Sequence, residues 1–394
     1  MYSNPRGAAT QGRASFTPLT LRGITLRNRI VVSPMATYRA VDGIANDWHL
    51  AHLGKFALGG AGLVFTEAVK VALCGLGTVG DMGLWDDAQV PALARLAAFI
   101  RAQGAVAGVQ LNHAGRKAGT ARPWEGFGPL DRSRPVEGRA HWPVRGPSAI
   151  AFMDGWPIPA AMTDAEIRET VMSFGQAARR AHEAGMQVIE LHGAHGYLLH
   201  QFLSPAANRR TDAWGGSADK RQRFVLDVVD AVRRHWPADK LLFYRIASQD
   251  EAGWTLDDSV ALARRLHAGG VDVIDCSAGG ISGRTATAGG AARPPGFQVH
   301  FAEHIRRHAG VPTMAVGLIT DAQQAEDVIA QGRADLVALG REMLLDPFWA
   351  AHAARTLGHE AAFEHLPQEY AWWLARRTVA APGPATATHP KESP

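Results

Sequence analysis

Apolar and polar positions along the chain fall into two patterns that alternate. Short, nearly continuous apolar and β-branched runs occupy residues 30–33, 62–66, 106–111, 187–191, 241–246, 271–276, 312–316 and 335–339. Runs of that length with no polar alternation mark strands buried on both faces. Between most of them apolar residues recur at helical spacing, with cap signals at the ends. Thr163-Asp164-Ala165-Glu166 is a capping box, and the helix it opens should stop near Gly185. Asp257-Asp258-Ser259 should open a helix that closes at Gly269-Gly270, and Asp321 should cap one ending at Gly332. Eight β-then-α units predict an α/β fold, a closed parallel (β/α)8 TIM barrel. A doubly wound sheet is the alternative, but it has no use for an eighth unit. Ahead of the first strand, residues 19–26 alternate about Gly23 and read as a small hairpin.

Two connections exceed the loops of a compact domain. Residues 113–161, after the third strand, are rich in Pro, Gly and Trp and should cover the C-terminal mouth as a lid. Residues 277–296 are rich in Gly, Ala and Thr and should move over the same mouth. The expected organisation is a tail at 1–15, one barrel at 16–375, and a second tail at 376–394.

Composition narrows the class. At 394 residues and 46% hydrophobic, the chain can bury a large core. No apolar run reaches the roughly 18 residues of a membrane span, so no membrane partner is expected. A net charge of +4 with arginines scattered over helices argues against nucleic acid. Cys74 and Cys276 are the two cysteines, which rules out a disulfide framework and a four-cysteine cluster and suggests the reducing cytoplasm.

Reacting groups in a barrel sit just past the strand ends. Those positions hold Ser33, Pro34, Met35, Ala36 and Tyr38, then Glu67 and Ala68, then Gln110 and His113. They continue with His192, His195 and Tyr197, then Arg245, Ser277, Gly317, Gly340 and Arg341. The ring contains two arginines and almost no carboxylate, which suits a bound anion and an electron-rich planar ligand better than paired-carboxylate hydrolysis. If the segment after His192 turns helically, His192 and His195 share a face and aim two N–H groups at one oxygen, with the Tyr197 phenol nearby. A metal site at His192, His195 and His200 is the rival, but this spacing is not the i, i+4 pair of a zinc helix, and no metal is assigned. Glycines after the seventh and eighth strands, Gly317 and Gly340, would admit a phosphate beside Arg341. Arg245, inside an apolar strand, needs an anionic partner; an ion pair and a ligand's anion are equally open.

Ser33-Pro34-Met35, the run from Gln110 to Lys117, His192-Gly193-Ala194-His195-Gly196-Tyr197, Phe202-Leu203-Ser204-Pro205, Asn208 to Asp212 with Gly215-Gly216-Ser217, and Gly340-Arg341 together carry a resemblance. In this order they resemble the Old Yellow Enzyme family of FMN-dependent ene-reductases, in its shorter, thermophilic-like bacterial branch. The resemblance implies FMN reduced by NADPH or NADH, then hydride transfer through flavin N5 to the C=C bond of an α,β-unsaturated carbonyl compound. It implies that Ser33, Pro34, Met35, Ala36 and Ala68 line the flavin, that Gln110 and Arg245 bond its ring, and that Gly317, Gly340 and Arg341 hold its phosphate. It gives His192 and His195 the substrate carbonyl, Tyr197 the proton, and Tyr38 a substrate contact. It also implies a homo-oligomer, dimer or tetramer. The chain departs from the branch at Ala36, where a cysteine is usual, and at Trp372 or Trp373, where an arginine usually enters the neighbouring subunit's site. A metal-dependent barrel hydrolase and a flavin-binding protein without turnover are the alternatives.

Overall fold

The computed structural model describes residues 13–133, 135–137, 140–282 and 292–377. Most of the expected tails, 1–12 and 378–394, and residues 283–291 of the second long connection lie outside the described residues. The expected N-terminal tail gives up its last residues to the fold. Residues Ala14–Phe16 form a 3-10 turn, and the buried Ser15 binds Glu326 through its backbone N–H (2.9 Å) and its hydroxyl (2.5 Å).

Eight strands close into one barrel. They are β1 (Ile30–Val32), β2 (Leu63–Lys70), β3 (Val106–Asn112), β4 (Val188–Gly193), β5 (Leu241–Ala247), β6 (Val273–Ser277), β7 (Thr313–Ala315) and β8 (Leu336–Leu339). Each is parallel to both neighbours, and β8 pairs with β1 to complete the circle. All eight apolar runs are strands, because a strand covered by helices outside and side chains inside must be apolar on both faces.

Helices return the chain between strands. Thr163 and Glu166 form the expected capping box of the helix Asp164–Glu183, and Asp321 caps Ala322–Ala330 by accepting from Gln324 N–H. The helix expected to open at Asp257 starts earlier, at Leu256–Ala268, capped by Thr255 with Asp258 closing the box. Asp258 lies at the third helical position, where a carboxylate can reach back to the cap.

Strand alternation sends every second side chain inward. The lower interior is apolar, with Leu63, Phe65, Val188, Leu241, Phe243 and Val273 in one cluster. The antiparallel hairpin Leu19–Leu21 and Ile24–Leu26 plugs this end, with Leu26 fully buried in that cluster. Above it the inward positions become polar: Gln110 on β3, Glu190 and His192 on β4, Arg245 on β5, Asp275 on β6. Register places Gln110 opposite Glu190, His192 opposite Arg245, and Arg245 opposite Asp275. Two acids, Glu190 and Asp275, thus lie just beneath a mouth expected to be almost free of carboxylates.

Phe243 is fully buried and meets Phe65 edge-on at 5.9 Å. Phe243→Ala opens a cavity that the closed barrel cannot collapse, and the expected loss is about 3–5 kcal/mol of unfolding free energy. Urea unfolding should show a lower midpoint at unchanged slope; an unmoved midpoint would mean the interior repacks.

Candidate active site

A cavity of about 550 Å³ opens at the C-terminal mouth. Its wall includes every mouth residue singled out as a ligand contact: Ser33, Pro34, Met35, Ala36, Tyr38, Ala68, Gln110, His192, His195, Tyr197, Arg245, Gly317, Gly340 and Arg341. Trp372 is the exception. It lies on the helix Gln368–Leu374, is 47% exposed, and packs against Trp373 and under the Arg376 guanidinium. Lys117, Pro123 and Phe127, from the insertion after β3, also reach the cavity.

The segment after His192 is not helical. Strand β4 runs to Gly193, a turn follows, and the next helix is Leu198–Leu203. His195 takes a left-handed backbone (φ 56°), followed by Gly196 (φ 72°). That conformation is costly for a residue with a Cβ and persists only where surroundings impose it. Here the Lys117 ammonium donates to the His195 carbonyl at 2.9 Å, and Gly280 backbone sits so close to Gly196 that a Cβ there would lie 2.1 Å from its carbonyl oxygen. The fold thereby turns the His195 ring back over the strand end, a result equivalent to the expected helical face. His195 Nδ1 and His192 Nε2 are 3.4 Å apart, and the rings stand nearly perpendicular at 88°. The Tyr197 ring lies 4.8 Å from that of His192. His195 Nε2 meets the Ser277 hydroxyl at 2.7 Å, and Ala194 N–H donates to His192 Nδ1 at 3.4 Å.

Burial governs the protonation of this trio. It holds both imidazoles well below the usual histidine range, His192 further disfavoured by His195 and both by Arg245, so the rings are neutral at pH 7. Burial lifts the Tyr197 phenol to about 12 and pushes the Lys117 ammonium down to about 7, aided by Arg116. Lys117 stands over the Tyr197 and Phe152 rings at 4.9 and 4.5 Å. His200 is turned elsewhere: it accepts from Gly196 N–H and faces Asp250 at 3.4 Å.

Arg245 has the ion pair that one of the open readings asked for, and it also faces the cavity. Its Nε lies 3.0 Å from Asp275, its Nη1 donates to the Ser33 hydroxyl at 3.3 Å, and the side chain lines the cavity. Gln110 Nε2 donates to Glu190 at 2.8 Å. Glu190 Oε2 and both Asp275 oxygens have no hydrogen-bond partner although buried. Two carboxylates sharing one guanidinium in a dry interior cannot both ionise freely. Burial, then the Asp275 charge, pushes Glu190 above the ordinary carboxyl range. Neither acid was assigned a role from sequence.

The wall fits FMN on its own observations. Gln298 Nε2, a buried donor in the wall, has no acceptor among the described residues. Gly340 would place a Cβ against nothing nearer than the Met35 sulfur at 3.7 Å, so its backbone is open to a ligand, whereas at Gly317 (φ 115°) a Cβ would crowd the Gln298 side chain at 3.0 Å. Arg341 adds positive charge beside them.

A closed parallel barrel with a donor-lined mouth of this kind suits a flavin oxidoreductase. Comparison with known proteins agrees: the family described as NADH:flavin oxidoreductase / NADH oxidase matches residues 15–360, and the chain belongs to it. It is 44% identical over 347 residues to an NADPH dehydrogenase of Geobacillus sp. (strain WCH70), covering 87% of this chain and 94% of that one. Morphinone reductase superposes with a TM-score of 0.70 at 26% identity, covering 89% of this chain and 91% of its own. A 2-naphthoyl-CoA reductase, solved with 2-naphthoyl-CoA, gives a TM-score of 0.77 at 26% identity over 88% of this chain; the match spans 52%, about half, of that longer protein. The chain is an FMN-dependent NAD(P)H oxidoreductase with NADPH as reductant, of the Old Yellow Enzyme family. The hydrolase reading and the reading without turnover fall with that assignment.

A carboxyl raised above its unfolded value contributes stability that is complete below that value and is lost as pH rises through the folded one. Glu190→Gln should therefore flatten the decline of the thermal midpoint with pH above about 4.5, its ordinary value. An identical pH profile in parent and variant would mean that Glu190 is ionised in the fold.

Proposed function

We propose that the protein is an ene-reductase, reducing the C=C bond of α,β-unsaturated carbonyl compounds with NADPH. The observation that carries this reading is the pair of neutral imidazoles, 3.4 Å apart, beside a buried phenol in one cavity wall. FMN, when bound, takes reducing equivalents from NADPH and returns them to the second substrate. Ser33, Pro34, Met35, Ala36 and Ala68 would line it, Gln110 and Arg245 would bond its ring, and Gly317, Gly340 and Arg341 would hold its phosphate.

The histidines supply the polarisation. Ala194 N–H occupies His192 Nδ1, which leaves the ring proton on Nε2. With the Ser277 hydroxyl donating a hydrogen bond to His195 Nε2 at 2.7 Å, that ring's own proton sits on Nδ1. Two N–H groups 3.4 Å apart can then bracket one carbonyl oxygen at about 2.9 Å each. They draw electron density from the β-carbon and stabilise negative charge on the oxygen, with no cost of reorienting solvent. Tyr197 keeps its proton across the neutral range and delivers it to the α-carbon. Tyr38, with a left-handed backbone (φ 57°) and edge-on to Trp124 at 5.7 Å, bounds the substrate's end of the cavity. The exposed Trp372 and Trp373 suit burial against a second copy in a homo-oligomer, dimer or tetramer. Two free cysteines, and no helix among the described residues long and apolar enough to cross a membrane, fit a cytoplasmic enzyme.

Replacing both His192 and His195 by Ala should leave FMN bound and reducible. Each lost donor to the developing oxyanion should slow enone reduction on the order of a hundredfold. Stopped-flow reoxidation by an enone reads this directly, and full turnover with full flavin occupancy would remove the pair from the chemistry.

Tyr197→Phe removes only the hydroxyl. The reductive half-reaction with NADPH should be nearly unchanged, while reoxidation by enones slows and reoxidation by nitroalkenes, whose anionic product needs no immediate proton, slows less. Equal slowing of both half-reactions would assign Tyr197 to packing.

A further inference from the structure

At the other end of the barrel, three ligand-type side chains converge. His359, Glu364 and His365 follow the helix Trp349–Thr356, and their nearest ligand atoms all lie within 4.8 Å of one another. The His359 and His365 Nε2 atoms approach the same Glu364 oxygen, at 3.3 and 3.5 Å. His365 Nε2 is buried and makes no hydrogen bond among the described residues, although Glu364 lies 3.5 Å away. The His365 side chain packs on Gly60, three residues before β2, so the cluster sits at the N-terminal ends of the strands. The Phe16 ring stacks on both imidazoles, at 5.5 and 6.1 Å, and fixes their orientation.

We propose that His359, Glu364 and His365 form a structural Zn²⁺ site, with water as fourth ligand, that fastens the chain's C-terminal segment to its N-terminal turn. Zinc takes nitrogen and oxygen ligands at about 2.0–2.2 Å in tetrahedral geometry, which sets neighbouring ligand atoms about 3.3–3.5 Å apart. Both histidine–glutamate separations already match. The imidazole–imidazole edge, within 4.8 Å, is the one that must tighten. Two imidazoles and one carboxylate are a borderline donor set, too poor in oxygen for Ca²⁺ or Mg²⁺. Glu364, 49% exposed, leaves an entry path and room for the water. Binding would couple distant parts of the chain, because Phe16 covers the rings, Arg13 donates to the Leu357 carbonyl at 2.7 Å, and Ser15 is bound to Glu326. The site is remote from the flavin cavity, so its role is stability and not turnover.

The test is calorimetric titration of tag-free, chelator-treated holoprotein with ZnCl₂, paired with thermal unfolding. The expected result is one equivalent bound per chain and a higher thermal midpoint with zinc. His365→Ala should lose the stoichiometric step. Glu364→Gln, at a half-exposed position that tolerates the change, should weaken it about tenfold or more, since even a residue behind a metal ligand is worth about 10–100-fold. Enone-independent NADPH oxidation should be the same in Glu364→Gln as in the parent. The His192→Ala/His195→Ala protein, which still carries the chain's other histidines, should bind zinc like the parent. No equivalent bound by the parent, or a step of unchanged affinity in either site variant, overturns the proposal.

Discussion

Arg245 is the constraint on which the mouth depends. A guanidinium inside a barrel must have an anion, and Asp275 supplies it from the neighbouring strand at 3.0 Å. That pair fixes the height at which the interior changes from apolar to polar. Below it, Phe65 and Phe243 fill the barrel; above it, Gln110, His192 and Arg245 bring hydrogen-bonding groups to the cavity wall. Arg245 also reaches Ser33 across the barrel, tying β5 to the residue just past β1. The cation thus serves the fold and faces the cavity with the same group.

The acids beneath that layer outnumber their partners. Glu190 has one hydrogen bond, from Gln110, and Asp275 has only the Arg245 contact. A buried carboxyl that remains protonated is the physical resolution, and it keeps the net charge under the cavity near zero. The amide of Gln110 is then held by an acid whose charge state depends on its neighbours, so the groups that would bond a flavin ring rest on a titrating foundation.

The mouth itself is strained where the floor is not. Tyr38, His195 and Leu318 all take left-handed backbone conformations, and all three line the cavity. Eight paired strands can hold such turns because the loops are anchored at both ends and cross-braced, as Lys117 braces His195. The neutral histidines follow from the same enclosure, since the walls that exclude water disfavour imidazolium.

The amino-acid order alone carried the barrel, the strand-end residues and the nearness of His192, His195 and Tyr197. Strand and helix periodicities are local, and residues three to five apart, such as His192, His195 and Tyr197, must stay together in any fold. It did not determine how they meet, because the helical turn expected there is replaced by a left-handed residue that Lys117 and Gly280 hold in place. Nor could it choose between an ion pair and a ligand for Arg245, or expose Glu190 and Asp275 as a coupled pair. Those contacts join different strands, and their partners are set by barrel register. The cluster of His359, Glu364 and His365 shows the same limit: its ligands are near in sequence, but the Phe16 ring that orients them comes from the opposite end of the chain. Only closure of the barrel brings those ends together, because β8 must pair with β1 to leave no open edge.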